Sequence, residues 1–269
     1  MPITVLSVPF RTTPSTMKNN IRKILVAVGV AAFWLAVWQL VAMAVEQELL
    51  LPTPLAVAGR LCTLIATPTF WKHVGATLLR VAIGFVAGLV AGTVLAVATA
   101  YSAVCRTLAA PILRVLRTAP VASFIILFMV WFKSSMLPIA IVFAMVTPLV
   151  WENVSKGIAE TDRELLEMAR VFHFGFFKTL WYVRLPSVRP FILSACTTGL
   201  GFAWKSGVAA EVLCLPQFAM GTALKEAKSD IETPEVLAWT VTVILLSVLM
   251  EWLLKKAAEG RRSGRWVSE

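Results

Sequence analysis

Charged residues are scarce in this sequence. Asp, Glu, Lys and Arg make up 15% of its 269 residues and hydrophobic residues make up 58%, whereas soluble globular domains carry roughly 25% charged residues. This deficit predicts an all-α integral membrane protein. We expect the formal net charge of +10 to lie in basic cytoplasmic loops, and we do not expect a nucleic-acid partner.

Signatures of metal, nucleotide and catalytic sites are also missing. His73 and His173 are far apart and without partners. The stretch GLGFAWKS, residues 199–206, fails as a phosphate-binding loop because Trp204 stands where the motif requires Gly directly before Lys. No His-Glu-x-x-His, Gly-x-Ser-x-Gly or pair of intramembrane aspartates is present. We therefore expect no catalytic residue, metal or cofactor in this chain.

The four cysteines also lack metal-ligand spacing. Cys105 and Cys196 lie in or beside apolar runs, where cysteine packs as a small hydrophobe. Cys62 and Cys214 map to the same predicted outer face. A disulfide between them is therefore one interpretation, although spacing alone does not establish its geometry.

Long apolar runs predict six transmembrane helices, because about 20 apolar residues are needed to cross a bilayer. The 118–151 run is too long for one helix and is interpreted as a hairpin with Lys133 at its tip. The other four spans are residues 24–45, 81–101, 190–210 and 236–254. We predict one transmembrane domain at 24–254, an amino-terminal arm at 1–23 and a basic tail at 255–269.

The distribution of basic residues predicts the orientation of these spans. Lys and Arg concentrate in the arm, after the second span, after the fourth span and in the tail, whereas the loop before the sixth span is net acidic. This alternation predicts that both termini are cytoplasmic. Residues 18–45 also have features of a signal peptide, with AMA at 42–44, but their apolar run exceeds the ~7–15 residues of such a peptide.

The loop at residues 46–79 lies on the opposite side of the membrane in this topology. Pro52 and Pro54 interrupt helix there. Residues 54–66 are then predicted to form a short interfacial helix, with Trp71 as an anchor at the headgroups.

Three glycines in the second span share one helix face, because Gly84, Gly88 and Gly92 are spaced by four residues. Such a face lets another backbone approach closely. One interpretation is ordinary packing within the subunit, and the other is a surface that slides or dimerises.

Lys205 lies inside the fifth predicted span, where a charge is costly and indicates function. With Ser206 and Glu211 it forms the candidate substrate path, in which Lys205 attracts an anion. The alternative is structural: Lys205 extends toward the outer headgroups or pairs with Glu211.

The stretch RELLEMARVFHFGFFKTLWYVRLP, residues 163–186, interrupts the apolar chain with charge and aromatic rings. Thr161 and Glu164 fit a capping box, Gly175 interrupts the helical pattern, a second short helix follows, and Pro186 ends the segment. An amphipathic helical pair of this kind either docks in a groove of another protein or lies on the inner leaflet.

Residues 167–186, EMARVFHFGFFKTLWYVRLP, resemble the EAA loop of ABC importer permeases, the inner-membrane components of binding-protein-dependent transport systems. Glu167, Ala169, Leu185 and Pro186 are in register with that loop, and Met168 replaces its middle Ala. His173 stands where the family has Gly, so the helix break is expected at the nearest glycine, Gly175. Residues 73–85, 199–213 and 221–239 are similar to permeases of the nitrate/sulfonate/taurine group.

This resemblance implies a type I ABC importer permease with six transmembrane helices in a bacterial-type plasma membrane. It implies a second permease subunit in a homodimer, a cytoplasmic ATPase dimer that binds ATP and Mg, and an extracytoplasmic solute-binding protein. The implied solute is a small anion such as a sulfonate, taurine or nitrate. The implied ATPase-coupling residues are Glu167, Ala169, Phe172, His173, Phe174, Gly175, Phe176, Phe177, Leu180, Leu185 and Pro186, within a loop at about 156–186.

A secondary transporter or channel that works without an ATPase is the alternative function. It requires ion-coupling residues or an inverted repeat. We find neither pattern in the sequence.

Overall fold

The computed structural model describes residues 15–263, which fold into helices joined by short connections, with no strand in that range. The helices are α1 Ser15–Val45, α2 Pro54–Ile65, α3 Pro68–Tyr101, α4 Ala103–Thr118, α5 Val121–Phe128, α6 Leu137–Ala159, α7 Arg163–Val171, α8 Phe176–Thr179, α9 Leu185–Cys214, α10 Met220–Ser229 and α11 Thr233–Ser263. A π-helical turn, Leu180–Arg184, joins α8 to α9. The all-helical prediction is confirmed.

Two of the helix starts follow directly from local sequence. Pro54 and Pro68 occupy the first turns of α2 and α3, where a missing N–H costs no hydrogen bond. The threonine before each proline caps the helix: Thr53 accepts from the Ala56 N–H and Thr67 from the Phe70 N–H, both at 3.3 Å. The short helix predicted at 54–66 is therefore present as α2.

Several helices of the described region are long and apolar enough to cross a membrane. Four meet this criterion on their own, within α1, α3, α6 and α11, and the bent pair α4–α5 makes a fifth if it counts as one span. The 30-residue helix α9 matches the fifth predicted span in position but includes Lys205 and several small polar residues. The second span begins earlier than predicted, since α3 starts at Pro68 rather than Val81.

The hairpin predicted at 118–151 has Lys133 between its arms, as expected, but its first arm is much shorter than a full span. That arm is only the eight residues of α5, joined to α4 by a bend of 107°. Pro120 stands at the bend and restricts Ala119 to an extended conformation. Arg106, Arg114 and Arg117, predicted to lie in a loop, therefore lie on α4.

The core of the described chain is a three-helix contact among α3, α6 and α9. Gly84, Gly88 and Gly92 face α6, and a Cβ on them would lie 2.7, 2.9 and 2.7 Å from the Cβ atoms of Val142, Val146 and Val150, respectively. On α9, a Cβ on Gly207 would lie 2.8 Å from Val81 of α3 and 3.0 Å from Val142 of α6. The glycine face predicted from the sequence packs within the chain in this structure.

Two connecting segments of the chain define the two ends of the bundle. At the α7 end, residues 160–184 connect α6 to α9. At the α10 end, residues 215–232 connect α9 to α11 through α10.

Cys62 and Cys214 are free thiols, so the disulfide that the sequence left open does not form.

We expect Gly92→Ala to destabilise the bundle by about 1–3 kcal/mol, because the added methyl would lie 2.6 Å from the backbone oxygen of Thr147. Gly75→Ala in the same helix is the matched control, since no atom lies within 4 Å of its Cβ position. The measurement is thermal unfolding of the purified chain in detergent. Equal melting shifts for the two variants would contradict the packing described here.

Candidate functional site

Helix α7 ends in a turn whose hydrogen bonds define a Schellman motif. The Phe174 N–H donates to the Ala169 carbonyl at 2.8 Å, and the His173 N–H donates to the Arg170 carbonyl at 3.0 Å. His173 has φ 50°, the left-handed conformation that glycine usually supplies at this position. The left-handed residue of the break is therefore His173 rather than the expected Gly175, which has no positive φ and lies directly before α8.

The start of α7 also differs from the predicted capping box. Asp162 is the cap, and its carboxylate accepts from the Glu164 N–H at 2.9 Å. Thr161 is buried and instead donates to the Gly157 carbonyl of α6 at 3.2 Å. Thr161 thus belongs to the end of α6, and the adjacent acidic residue begins the new helix.

Two residues of the Glu-Ala-Ala-like triplet have opposite environments. Ala169 is 2% exposed and lines a small cavity with Phe174 and Thr179, so its Cβ faces the turn that follows α7. Glu167 is exposed, and it forms no ion pair with any residue of the 15–263 region. The buried position of Ala169 therefore requires a small residue, whereas Glu167 presents a free negative charge.

Apolar side chains surround this turn on the outside. Val171 and Phe172 are 75% and 68% exposed, and Trp181 and Tyr182 are similarly open. Phe177, Leu185 and Pro186 are also exposed, whereas Phe174 and Leu180 are partly buried. Phe177, Trp181, Tyr182 and Pro186 share one surface pocket, and exposed apolar surface of this kind is typical of an interaction site.

The chain leaves the turn as one continuous helix. The Thr179 N–H donates to the Gly175 carbonyl at 3.0 Å, and the Leu185 N–H reaches back five residues to the Leu180 carbonyl. Pro186 lies in the first turn of α9, where proline is tolerated. The prediction that Pro186 ends a separate short helix before the fifth span is therefore wrong.

Arg184 connects this segment to the end of α3. Its guanidinium donates to the Tyr101 hydroxyl and lies 5.1 Å from the centre of the Tyr101 ring. Nearby, Glu152 of α6 pairs with Arg117 of α4 and with Lys156 one turn further along α6. Arg184 thus ties this segment to α3, and Glu152 links α4 to α6.

A buried ion pair organises the α10 end. Glu211 of α9 has no exposed surface and accepts from Arg80 of α3 at 3.3 Å, from the Thr77 hydroxyl at 2.8 Å and from the Gly221 N–H at 3.3 Å. Arg80 also donates to the carbonyls of Gln217 and Phe218. Removal of one member of such a pair costs about 3–5 kcal/mol, so this network holds the 215–219 loop in place.

The three predicted path residues do not share a surface. Glu211 belongs to the buried network with Arg80, so the predicted pairing of Lys205 with Glu211 is wrong. Ser206 is buried and donates to the Ala203 carbonyl at 3.2 Å. Lys205 alone lies on the exposed face of α9.

That exposed face is unusual for this protein. It combines polar and small residues with two apolar ones: Ser194, Thr198, Phe202, Lys205, Ala209 and Leu213. The exposed faces of α1, α3 and α11 are instead made of large apolar side chains such as Leu40, Val90 and Leu249. Polar side chains within a membrane face a protein interior or a water-filled cavity, so this face of α9 is not suited to lipid.

The surface near the α10 end is acidic. Arg60 of α2 bridges Glu232 and Glu235, and the hydrogen bond to Glu235 raises the pKa of the Arg60 guanidinium above its usual value. Glu226 and Asp230 line the same cavity, which has a volume of about 270 Å³. The ion pairs of Arg60 with Glu232 and Glu235 attach α2 to the start of α11.

The described residues thus form a helical domain, with several helices long and apolar enough to cross a membrane and an exposed turn at the α7 end. Residues 84–262 match the family described as "Binding-protein-dependent transport system inner membrane component", and the chain belongs to this family. This membership decides for an importer permease over a secondary transporter. It also makes the chain a multi-pass plasma-membrane subunit, without enzymatic activity of its own, that works with an ATPase and a solute-binding protein.

Three curated relatives are permeases that are named for particular solutes. The chain is 27% identical to the taurine transport system permease protein TauC of Escherichia coli (strain K12), with 92% of each chain covered. It is 27% identical to the putative aliphatic sulfonates transport permease protein SsuC of Bacillus subtilis (strain 168), with 81% of this chain and 79% of the relative covered. It is also 27% identical to the riboflavin transport system permease protein RibX of Chloroflexus aurantiacus, with 75% of each chain covered.

A solved structure shares the fold. The chain aligns with an amino acid ABC transporter with histidines at a TM-score of 0.62 and 17% identity, over 75% of this chain and 97% of the other. At this identity the likeness shows the fold alone.

Sequence reasoning missed two residues that the structure makes central. Arg80 pairs with Glu211, and Arg184 bonds to Tyr101. Arg80 lies in the part of α3 that preceded the predicted span, so it was not considered as an intramembrane charge. With the helix starting at Pro68, Arg80 lies inside it and is opposite in charge to Glu211 near the end of α9.

We expect His173→Gly to stabilise the turn by about 1 kcal/mol, because it relieves the left-handed backbone of a residue with a Cβ. Gly175→Ala is the control and should be tolerated, since no atom lies within 4 Å of its Cβ position. The measurement is hydrogen exchange at the Phe174 amide, which should slow in His173→Gly. If Gly175→Ala instead accelerates exchange and His173→Gly has no effect, the break is not at His173.

Proposed function

We propose that two copies of this permease form a path for a small anion and that residues 163–186 couple this path to the ATPase. The observation that carries the proposal is the exposed turn at the α7 end, with its free Glu167 and its apolar surround. A charged and apolar projection of this kind fits a groove of a soluble partner. The resemblance of this segment to the EAA loop supports the same assignment.

The connections of the turn explain how a partner could move the membrane helices. The segment continues α6 on one side and is helical into α9 on the other. The buried Ala169 and the bond from Arg184 to Tyr101 hold the turn against the bundle. Displacement of the turn would therefore rock α6 and α9 together with α3, which is the rigid-body motion that alternating access requires.

The orientation follows from charge. Arg106, Arg114 and Arg117 on α4 and Lys156 on α6 lie toward the α7 end. The positive-inside rule supports a cytoplasmic α7 end and cytoplasmic termini. The acidic α10 end then faces outward, where it is open to the solute-binding protein.

A homodimer would give the polar face of α9 a suitable environment. In a single chain this face is exposed although it includes Ser194, Thr198 and Lys205. A second copy related by a two-fold axis would enclose a path between two such faces. Lys205 would then supply positive charge to that path.

The solute class rests on relatives and on Lys205. Two relatives are named for taurine and for aliphatic sulfonates, which are compact solutes with an anionic group. The riboflavin relative shows that similar permeases are named for other solutes. An intramembrane Lys exposed without an ion pair in the described region favours an anion.

We expect Glu167→Arg to weaken binding of the ATPase and ATP-driven uptake at least tenfold, because it reverses the free charge of the docking turn. Glu160→Arg makes the same charge change at an exposed residue at the end of α6, outside α7, and is the control. The measurements are co-purification with the ATPase and uptake in proteoliposomes. If both are unchanged in Glu167→Arg, the coupling assignment is wrong.

We expect Lys205→Met to lower uptake of a sulfonate about tenfold, corresponding to roughly 1.4 kcal/mol, whereas Lys205→Arg should retain most of it. The measurement is initial uptake at limiting solute with the cognate solute-binding protein, and co-purification with the ATPase should be unchanged. Wild-type uptake in Lys205→Met would remove Lys205 from the path. A solute-binding protein that prefers a cation would overturn the anion assignment.

A further inference from the structure

A cavity of about 340 Å³ lies between residues 163–186, which we call the coupling segment after the proposed function, and the inner ends of α3, α6 and α9. Its walls are mostly apolar and include Val97, Ile158, Leu166, Leu180 and Ile192. Its volume is at the lower end of the roughly 300–1,000 Å³ that small-molecule sites occupy. Such a cavity therefore has room for one apolar chain, although not for a whole large ligand.

The cavity carries one positive charge. Arg184 lines it together with Tyr101, whose hydroxyl accepts from the Arg184 guanidinium. No carboxylate pairs with Arg184 in the described part of the chain. Arg184 also lines the adjoining cavity of about 240 Å³, where Arg170 contributes a second guanidinium. A cation next to apolar walls is complementary to an anion that carries an apolar tail.

The opening of the cavity points to where such a ligand comes from. Val97 and Tyr101 line it and are themselves 44% and 59% exposed. They continue the exposed apolar face of α3 that includes Val90 and Val94. This face is suited to lipid, so an acyl chain can pass from the bilayer into the cavity without crossing water.

We propose that this cavity binds an anionic phospholipid of the cytoplasmic leaflet, with one acyl chain between α3, α6 and α9 and the phosphate at Arg184. Basic pockets between membrane helices on the cytoplasmic side suit anionic headgroups, and that leaflet is rich in them. The bound lipid would contact Leu166 and Leu180 of the coupling segment. The position of the cavity in this leaflet rests on the orientation in the proposed function.

The test measures binding to the full-length chain purified in neutral detergent, by thermal stabilisation and by native mass spectrometry. The probes are phosphatidylglycerol, phosphatidylcholine and inorganic phosphate. We expect wild type to prefer phosphatidylglycerol over phosphatidylcholine at least tenfold and to gain no stability from phosphate. Equal binding of the two lipids, or equal stabilisation by phosphate alone, would overturn the proposal.

Three variants locate the site. Arg184→Gln should weaken phosphatidylglycerol binding about tenfold, while Arg163→Gln, which removes an exposed charge of α7 outside both cavities, should not. Val97→Phe keeps every charge but fills the cavity from its exposed side, and it should weaken binding similarly. Equal losses in Arg184→Gln and Arg163→Gln, or unchanged binding in Val97→Phe, would rule out this site.

The assay needs neither ATPase nor transport. If Glu167→Arg leaves coupling intact, the coupling assignment falls and the lipid site stands. If Arg184→Gln and Val97→Phe bind phosphatidylglycerol as wild type does while Glu167→Arg abolishes uptake, the lipid-site proposal is wrong and the coupling assignment stands.

Discussion

The contact between α3 and α6 is the constraint on which the rest of the structure depends. In a bilayer, lipid is as apolar as the helices, so helices associate through close van der Waals packing rather than through the hydrophobic effect. Gly84, Gly88 and Gly92 allow that closeness, and Gly207 brings α9 against the same pair. The other described helices pack around or extend from these three.

The two ends of the bundle are linked through this core. At one end, residues 160–184 connect α6 to α9, and at the other Arg80 of α3 pairs with the buried Glu211 of α9. Closely packed helices shift as units rather than deforming continuously. A displacement at the α7 end is therefore expected to reach the 215–219 loop, which Arg80 holds by its carbonyls.

Residues 163–186 show which features local sequence patterns can predict and which they cannot. Their helical character and their two-part form were predictable from charge, aromatic spacing and the resemblance to a known loop. The position of the break was not, because Gly175 permits a left-handed backbone without requiring one. The hydrogen bonds from His173 and Phe174 back to Arg170 and Ala169 close the turn at the end of α7. Thr161 and Asp162 are adjacent candidate caps, and burial of Thr161 against α6 selects Asp162.

The sequence by itself determined the membrane class, the positions of most helices and the amphipathic form of residues 163–186, because hydropathy and charge act over short stretches of chain. Only the tertiary structure decided which faces meet. Glu211 pairs with Arg80, 131 residues away, rather than with Lys205 on its own helix. Ser206 faces inward while its neighbour Lys205 is exposed. Helical periodicity separates one face from another, but the neighbour of each face depends on how distant helices pack.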